Sequence, residues 1–280
     1  MPLHSRKLAA DMVEQSGFVS AGVEHLYYRR WGNGKKVLLA FHGYGDTSEL
    51  FLPLAELLSE EYTILAFDLP HHGGSKWDKE SMLGVEQLSG IVNEVSRQFN
   101  VTKLSLIGYS LGGRICLALV EREPALVDKV ILVAPDGLRK DRYYYFFTQT
   151  NWGKKMFRNM LEKPQPYFRL MRVLRKLGLV HHKRYKFAMH FLLSEDSRNF
   201  LLRVWPSVSG IMPEPAQLKK NIRQHRLPLV IFMGVNDKIM PPSIARKFKA
   251  GLDSVQLQIL ERGHRIIDAE TAPQIAQSLL

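Results

Sequence analysis

One cysteine in 280 residues, Cys116, is all the chain offers to thiol chemistry. No internal disulfide can form, and a cysteine-rich secreted scaffold is excluded. Long apolar runs are missing as well: no stretch approaches the roughly 20 residues that a bilayer span needs. The opening residues, MPLHSRKLAADMVEQSG, carry charges and lack the apolar centre of a secretory signal. Internal repeats, low-complexity tracts and flexible linkers are absent too. A soluble, cytoplasmic protein is therefore expected. Its length suits one α/β domain with an insertion, or two small domains, and a hydrophobic fraction of 45% is enough for a full core.

Acidic residues are the remaining shortage, with 27 Asp and Glu against 39 Lys and Arg, a net charge of +12. The imbalance is local. Residues 136–215 hold 16 Lys and Arg against 6 Asp and Glu, which accounts for +10 of the total. The charge thus belongs to one segment, and the other 200 residues are nearly balanced.

What is present begins with residues 103–114, KLSLIGYSLGGR. Leu104, Leu106 and Ile107 suit a short buried strand, and Ile115, Leu117, Ala118, Leu119 and Val120 supply the apolar face of a helix. Between them Gly108-Tyr109-Ser110-Leu111-Gly112 reads as a G-x-S-x-G turn. A strand-to-helix turn this tight strains the serine backbone and leaves no room for neighbouring Cβ atoms. It also lifts the serine hydroxyl clear of the sheet.

The rest of the chain alternates strand and helix signals. Two short strands are expected between residues 18 and 31, turned at Ala21-Gly22, and Gly32-Asn33-Gly34 reads as a hairpin-type turn. Residues 37–41 (VLLAF) form a near-continuous apolar run, as in a strand buried on both faces of a parallel sheet. Further strands are expected at 62–67, 129–134, 229–233 and 255–260. Helical patterns occupy 51–58, 82–99, 243–250 and 271–280. This alternation specifies a largely parallel sheet covered on both faces.

Four landmarks then fall in order: HGYG at 42–45, DLPHHGGS at 68–75, GYSLGG at 108–113, and a late Asp followed by a late His. With these the chain resembles the α/β-hydrolase superfamily over essentially its whole length. One departure is His71, where that family usually has glycine. The resemblance implies a core of residues 1–135 and 214–280, interrupted by a helical lid at 136–213.

A serine needs a base to become a nucleophile, and the base needs an orienting carboxylate. On this scaffold the order is Ser, Asp or Glu, then His. Ser110 is the expected nucleophile, Asp237 in Gly234-Val235-Asn236-Asp237 the acid, and His264 after strand 255–260 the base. Asp136, after the strand next to the elbow, is the competing acid. His42, His71 and His72 precede any acid and are expected to shape loops through backbone hydrogen bonds. The resemblance places an oxyanion hole at the backbone N–H groups of Tyr44 and Leu111. Arg114 is a candidate for binding a substrate carboxylate. Neither a metal nor a cofactor is expected, since the one cysteine is isolated and no His pair has a carboxylate at ligand spacing.

The insertion has its own texture. Residues 143–147 (YYYFF) are aromatic. Leu170, Val173, Leu174 and Leu177 lie on one helical face, with Arg169, Arg172, Arg175 and Lys176 on the other. Lys183, Arg184 and Lys186 follow, and residues 187–193 are apolar. A solvated helical lid is one reading. Contact with an anionic inner-membrane surface or an acidic substrate is the other. Nucleic acid finds no supporting motif.

Three function classes remain. The first is a serine hydrolase of a small-molecule carboxylic ester, including acyl-lipid or other apolar acyl esters. The second is a lyase or carbon–carbon hydrolase acting on an anionic metabolite, because GYSLGGR also resembles the elbow of the menaquinone-pathway SHCHC synthases. The third is a non-catalytic binding protein on a hydrolase scaffold, against which an intact Ser–Asp–His set argues.

Overall fold

The computed structural model describes residues 15–179 and 192–280. Residues 1–14 and 180–191, the latter with Lys183, Arg184, Lys186 and most of the apolar run at 187–193, lie outside the described residues. The chain up to Lys140 together with Gly210–Leu280 forms one compact unit, and Asp141–Ser209 a second.

Among the described residues the first unit is built on eight strands: β1 (Gln15–Ala21), β2 (Glu24–Trp31), β3 (Lys36–Phe41), β4 (Tyr62–Phe67), β5 (Leu104–Tyr109), β6 (Val127–Val133), β7 (Leu229–Gly234) and β8 (Val255–Leu260). Their order across the sheet is β1-β2-β4-β3-β5-β6-β7-β8. β1 and β2 pair antiparallel, as do β2 and β4, while β4, β3, β5, β6, β7 and β8 run parallel. Every residue of β4, β5 and β7 is buried. A strand covered on both faces has no solvent side to mark with polar residues, hence the unbroken apolar runs. Each fully buried Leu, Ile or Phe contributes about 1.5–3 kcal/mol of transfer free energy, which makes these strands the core.

Among the described residues the α-helices in chain order are α1 (Leu52–Leu58), α2 (Val85–Gln98), α3 (Leu111–Arg122), α4 (Arg142–Gln149), α5 (Asn151–Glu162), α6 (Gln165–Lys176), α7 (Glu195–Ser207), α8 (Pro215–Gln224), α9 (Pro242–Lys249) and α10 (Ala272–Gln277). Leu88, Ile91, Val92 and Val95 form the buried face of α2, with the 3–4 residue spacing of a helix covering a sheet. α3 is more deeply placed, with every residue from Leu111 to Val120 buried. Among the described residues no helix is long and apolar enough to cross a membrane.

Among the described residues, helices α4–α7 make up the second unit. Side-chain caps start three of them: Asp141 accepts from the Tyr143 and Tyr144 N–H groups, Thr150 from Gly153, and Ser194 from Ser197. Its interior is aromatic. The Phe157 and Trp205 rings stack with centroids 5.3 Å apart, and Tyr144 meets Trp205 edge-on at 5.2 Å. The YYYFF run is thereby split, Tyr144 going inward while Tyr143 and Tyr145 stay exposed.

One expectation from the sequence fails here. Gly32-Asn33-Gly34 is not a hairpin turn, because β4 lies between β2 and β3. The segment instead crosses the end of the sheet against the loop before β4. Asn33 N–H donates to the Ser59 carbonyl at 3.1 Å, Lys36 N–H to that of Glu61 at 3.2 Å, and the Thr63 hydroxyl to that of Gly34 at 2.9 Å. An apolar β3 needs a parallel neighbour on each side, and β4 supplies one.

Gly90 sits on the exposed face of α2 with open space where a Cβ would be. Gly90→Ala therefore removes backbone freedom from the unfolded chain and adds no clash. It is expected to raise stability by about 1 kcal/mol, seen as a higher urea midpoint at unchanged m-value.

Candidate active site

β5 ends at Tyr109 and α3 begins at Leu111, so Ser110 alone makes the turn. Its backbone is left-handed, with φ +50° and ψ −111°. That conformation costs a non-glycine residue on the order of 1–3 kcal/mol and persists only where the surroundings enforce it. They do. Ser110 N–H donates to the Val133 carbonyl at 2.9 Å, and the Ser110 carbonyl accepts from Gly113 and Asp136, each at 2.9 Å. The flanking glycines are required by proximity. A Cβ on Gly108 would meet the Gly112 carbonyl and the Cys116 sulfur, and one on Gly112 would fall on the Phe41 carbonyl at the end of β3.

The loops after β7 and β8 bring two further side chains to the same edge of the sheet. Asp237 is buried, and its Oδ1 accepts from the Ile239 and Met240 N–H groups at 2.8 and 2.9 Å. Its Oδ2 is left for His264, whose Nδ1 donates to it at 2.7 Å. A carboxylate can only accept, so the neutral ring carries its proton on Nδ1 and presents a lone pair at Nε2. Ser110 Oγ lies 3.0 Å from that Nε2. A continuous hydrogen-bonded path therefore runs from the hydroxyl through the imidazole to a buried carboxylate. Such a path can draw a proton from the hydroxyl as it attacks an electrophile.

The two loops are stitched together. Val235 N–H donates to the Leu260 carbonyl at 2.9 Å and Asn236 N–H to that of Arg262 at 3.0 Å. A Cβ at Gly234 would collide with the Arg262 and Gly263 carbonyls. This glycine, which shows in the sequence only as a turn residue, is what lets the Asp237 loop approach the His264 loop.

Asp136 is engaged elsewhere. It forms an ion pair with the buried Arg114, and its Oδ1 accepts from Gly137 N–H at 2.7 Å. Arg114 itself is buried on α3 rather than lying on the surface. Leu111 supplies the first N–H of α3, one of the four at a helix start that have no carbonyl within the helix to bond. Tyr44 lies in the loop that leaves β3, between His42-Gly43 and Gly45.

Three residues beside this path were not singled out from sequence. Asp46, in the loop after β3, pairs with Arg265 at 3.4 Å. Burial raises its carboxyl above the ordinary value, with the charges of Arg265 and His264 opposing the shift. The Tyr109 ring packs 5.5 Å from that of His264, and burial raises its hydroxyl too, the charge of Asp46 adding to the effect. The available signal was position, since Asp46 follows the glycine-rich loop, and Tyr109 and Arg265 are chain neighbours of Ser110 and His264.

His42 and His72 hold loops through backbone hydrogen bonds. His42 Nε2 accepts from Leu69 N–H at 2.9 Å while Nδ1 donates to the Gly43 carbonyl at 2.7 Å. His72 Nε2 accepts from Gly45 N–H at 3.1 Å and Nδ1 donates to the Pro70 carbonyl at 2.8 Å. The Asp68 carboxylate takes Ser48 N–H at 2.7 Å and Gly74 N–H at 2.8 Å. His71 has φ +64°, the left-handed region where glycine is unstrained, which explains the glycine usual at this point of the motif.

A family model described as alpha/beta hydrolase fold matches residues 36–271. The uncharacterized hydrolase YugF of Bacillus subtilis is 26% identical over 246 residues, covering 86% of this chain and 88% of that protein. A putative esterase/lipase of Haemophilus influenzae is 37% identical over 98 residues, 35% of this chain and 33% of that one. Among solved structures, a putative lipase from Acinetobacter baumannii superposes with a TM-score of 0.63 at 20% identity, covering 98% of this chain and 91% of its own.

The buried histidines make stability depend on pH in a stated direction. Burial above all, and then the neighbouring His72, lower the pKa of His42 to about 3, with the Gly43 carbonyl pulling the other way. His72 is lowered too, chiefly by burial. Between pH 6.5 and about 3 the unfolded chain binds protons that the folded chain refuses, so this stability is complete above pH 6.5 and is lost as pH falls. At about 1.4 kcal/mol per pH unit, His42 alone should remove about 2 kcal/mol at pH 5. Urea midpoints at pH 7.5 and 5.0 should differ accordingly, and His42→Gln, which cannot charge, should narrow the difference. Equal slopes in the two proteins would contradict it.

Proposed function

The chain belongs to the alpha/beta hydrolase fold family, and from that premise we propose that it is a serine hydrolase cleaving carboxylic esters through an acyl-enzyme. The observation that carries this reading is the unbroken path Ser110 Oγ–His264–Asp237, at 3.0 and 2.7 Å, on a serine held in a left-handed turn. A hydroxyl merely decorating a loop needs neither the strained backbone nor a base oriented by a buried carboxylate. The hydrolase, esterase and lipase names of the relatives point to the same class of chemistry.

In this reading Ser110 Oγ attacks the ester carbonyl carbon as His264 Nε2 takes its proton. The carbonyl π electrons move to oxygen, and the resulting oxyanion is received by the backbone N–H groups of Leu111 and Tyr44. Removing one such donor typically costs about 3 kcal/mol of transition-state stabilisation. His264 then returns the proton to the departing alcohol as the C–O bond breaks. Water repeats the sequence, attacking the acyl carbon with His264 as base and releasing the acid and free Ser110. Asp237 stays ionised throughout and stabilises the transient imidazolium. Arg114 is assigned to holding the loop after β6 against α3 through its pair with Asp136, rather than to the substrate.

Activity-based labelling with a fluorophosphonate, followed by a chain-length series of p-nitrophenyl esters, tests this. The native protein should label at Ser110 and turn over esters, and Ser110→Ala should lose both with its fold intact. His264→Ala should fall comparably, by roughly 10⁴ to 10⁶ in kcat, and Asp237→Asn somewhat less. Gly234→Ala, which must separate the two stitched loops, should lower kcat by about 100-fold with little change in KM. A folded protein that fails to label overturns the nucleophile. A near-normal rate for Asp237→Asn alongside a collapsed Asp136→Asn overturns the acid. Labelling without turnover of any ester would move the same triad to carbon–carbon cleavage of an anionic substrate.

A further inference from the structure

The second unit carries a helix that its own interior does not account for. In α6 (Gln165–Lys176) no residue is buried. Tyr167, Met171 and Leu174, spaced four and three apart, are half-buried and form its inward side. Leu170, Val173 and Leu177 repeat the helical spacing one stripe over, and they are 52, 53 and 65% exposed. At about 100° per residue this second stripe lies roughly a quarter-turn from the first. A quarter-turn beyond it lie Arg169, Arg172 and Lys176, all exposed. The apolar arc is thus about twice as wide as docking onto one neighbour requires, and its outer half borders directly on cations.

Charge decides what such a stripe would meet. Between Glu162 and Glu195 the sequence has no acidic residue, while Lys163, Arg169, Arg172, Arg175 and Lys176 are all basic among the described positions. A helix stabilised simply by being solvated tends to intersperse Glu with Lys at i, i+4 spacing. Here the acid is missing altogether. An apolar stripe flanked on one side by arginines and carrying no acid is the pattern of a helix lying in a membrane interface.

We propose that α6 docks on an anionic bilayer surface, seating Leu170, Val173 and Leu177 below the headgroups while Arg169, Arg172 and Lys176 meet lipid phosphates. The long arginine and lysine stems reach past the apolar stripe and keep their charges in the polar layer. Each such cation near an anionic surface is worth about five-fold in partition at low screening. The contact is peripheral and reversible, and it depends on salt because the Debye length falls to a few ångströms as ionic strength approaches molar. It does not depend on the chemistry at Ser110, and it requires no spanning segment.

The test is co-sedimentation of the full chain with vesicles of phosphatidylcholine alone or with 30% phosphatidylglycerol, at 0.05 and 0.5 M NaCl. Hydrolysis of a short soluble ester serves as a separate readout. We expect binding to the mixed vesicles at low salt, weak binding to phosphatidylcholine, and loss at high salt. Replacing Arg169, Arg172 and Lys176 by Gln should weaken partition by about 100-fold, and Leu170→Ser with Val173→Ser by about 10-fold or more, with ester hydrolysis unchanged in both. Because all five side chains are exposed, both variants should keep the native melting temperature. Equal partition on the two lipids, or none on either, overturns the proposal. So does full binding by the Leu170/Val173 variant, which would make the site a general polyanion surface. Concentration-dependent self-association that this same variant abolishes, without vesicle binding, would assign the stripe to a second copy of the chain.

Discussion

The first unit is organised around one steric demand: the turn at Ser110 has to fit between the ends of β3 and β6. Gly112 packs its bare Cα against the Phe41 carbonyl, and Gly108 against the first turn of α3. Ser110 bonds through its own N–H and carbonyl to the chain on either side of β6's end. The serine is therefore gripped by its neighbours in sheet order, and its positive φ follows from that grip. α3 can be buried along almost its whole length for the same reason, since a helix that starts so close to the sheet has nowhere else to lie. Strain at the turn is offset by burial behind it.

From that fixed point the site is assembled by loops that are held, not free. The loop after β3 is fastened by His42, His72 and Asp68, whose side chains take backbone N–H groups from Leu69, Gly45, Ser48 and Gly74. Two of these fasteners are imidazoles kept neutral by burial, so the rigidity of the loop leading to Tyr44 carries a pH limit of its own. The loops after β7 and β8 are joined by backbone bonds and by the absence of a side chain at Gly234. Asp46 and Arg265 link the loop after β3 to the loop carrying His264. Ser110, His264 and Asp237 thus each reach their places through a backbone contact between non-adjacent segments.

Electrostatics separates the two acids that the sequence left in competition. Asp136 neutralises Arg114 beneath the elbow, while Asp237 spends one oxygen on its own turn and the other on His264. Both follow parallel strands at the same sheet edge, and each lies a few residues beyond its strand. The difference between them is which cation or donor the neighbouring segment brings within reach. The second unit follows another logic: its interior is a cluster of stacked aromatic rings. Its positive charge lies outside that cluster, on residues such as Arg169, Arg172 and Lys176 that remain exposed.

By itself the sequence determined the strand-and-helix alternation, the parallel sheet and the elbow, and it brought Ser110, Asp237 and His264 forward as candidates for one site, with Asp136 in competition for the acid. Those features are carried by local rules: an apolar run reads as a buried strand, glycines flanking a serine mark a tight turn, and motif order follows chain order. Only the tertiary structure decided that β4 lies between β2 and β3, turning Gly32-Asn33-Gly34 from a hairpin into a crossing. It alone showed that Asp136 is claimed by Arg114, that Gly234 sets the approach of two loops, and that Asp46 stands beside His264. It also left Leu170, Val173 and Leu177 uncovered. All of these depend on which residues distant in the chain come within a few ångströms of one another, and a one-dimensional pattern records the period of a face but not what that face meets.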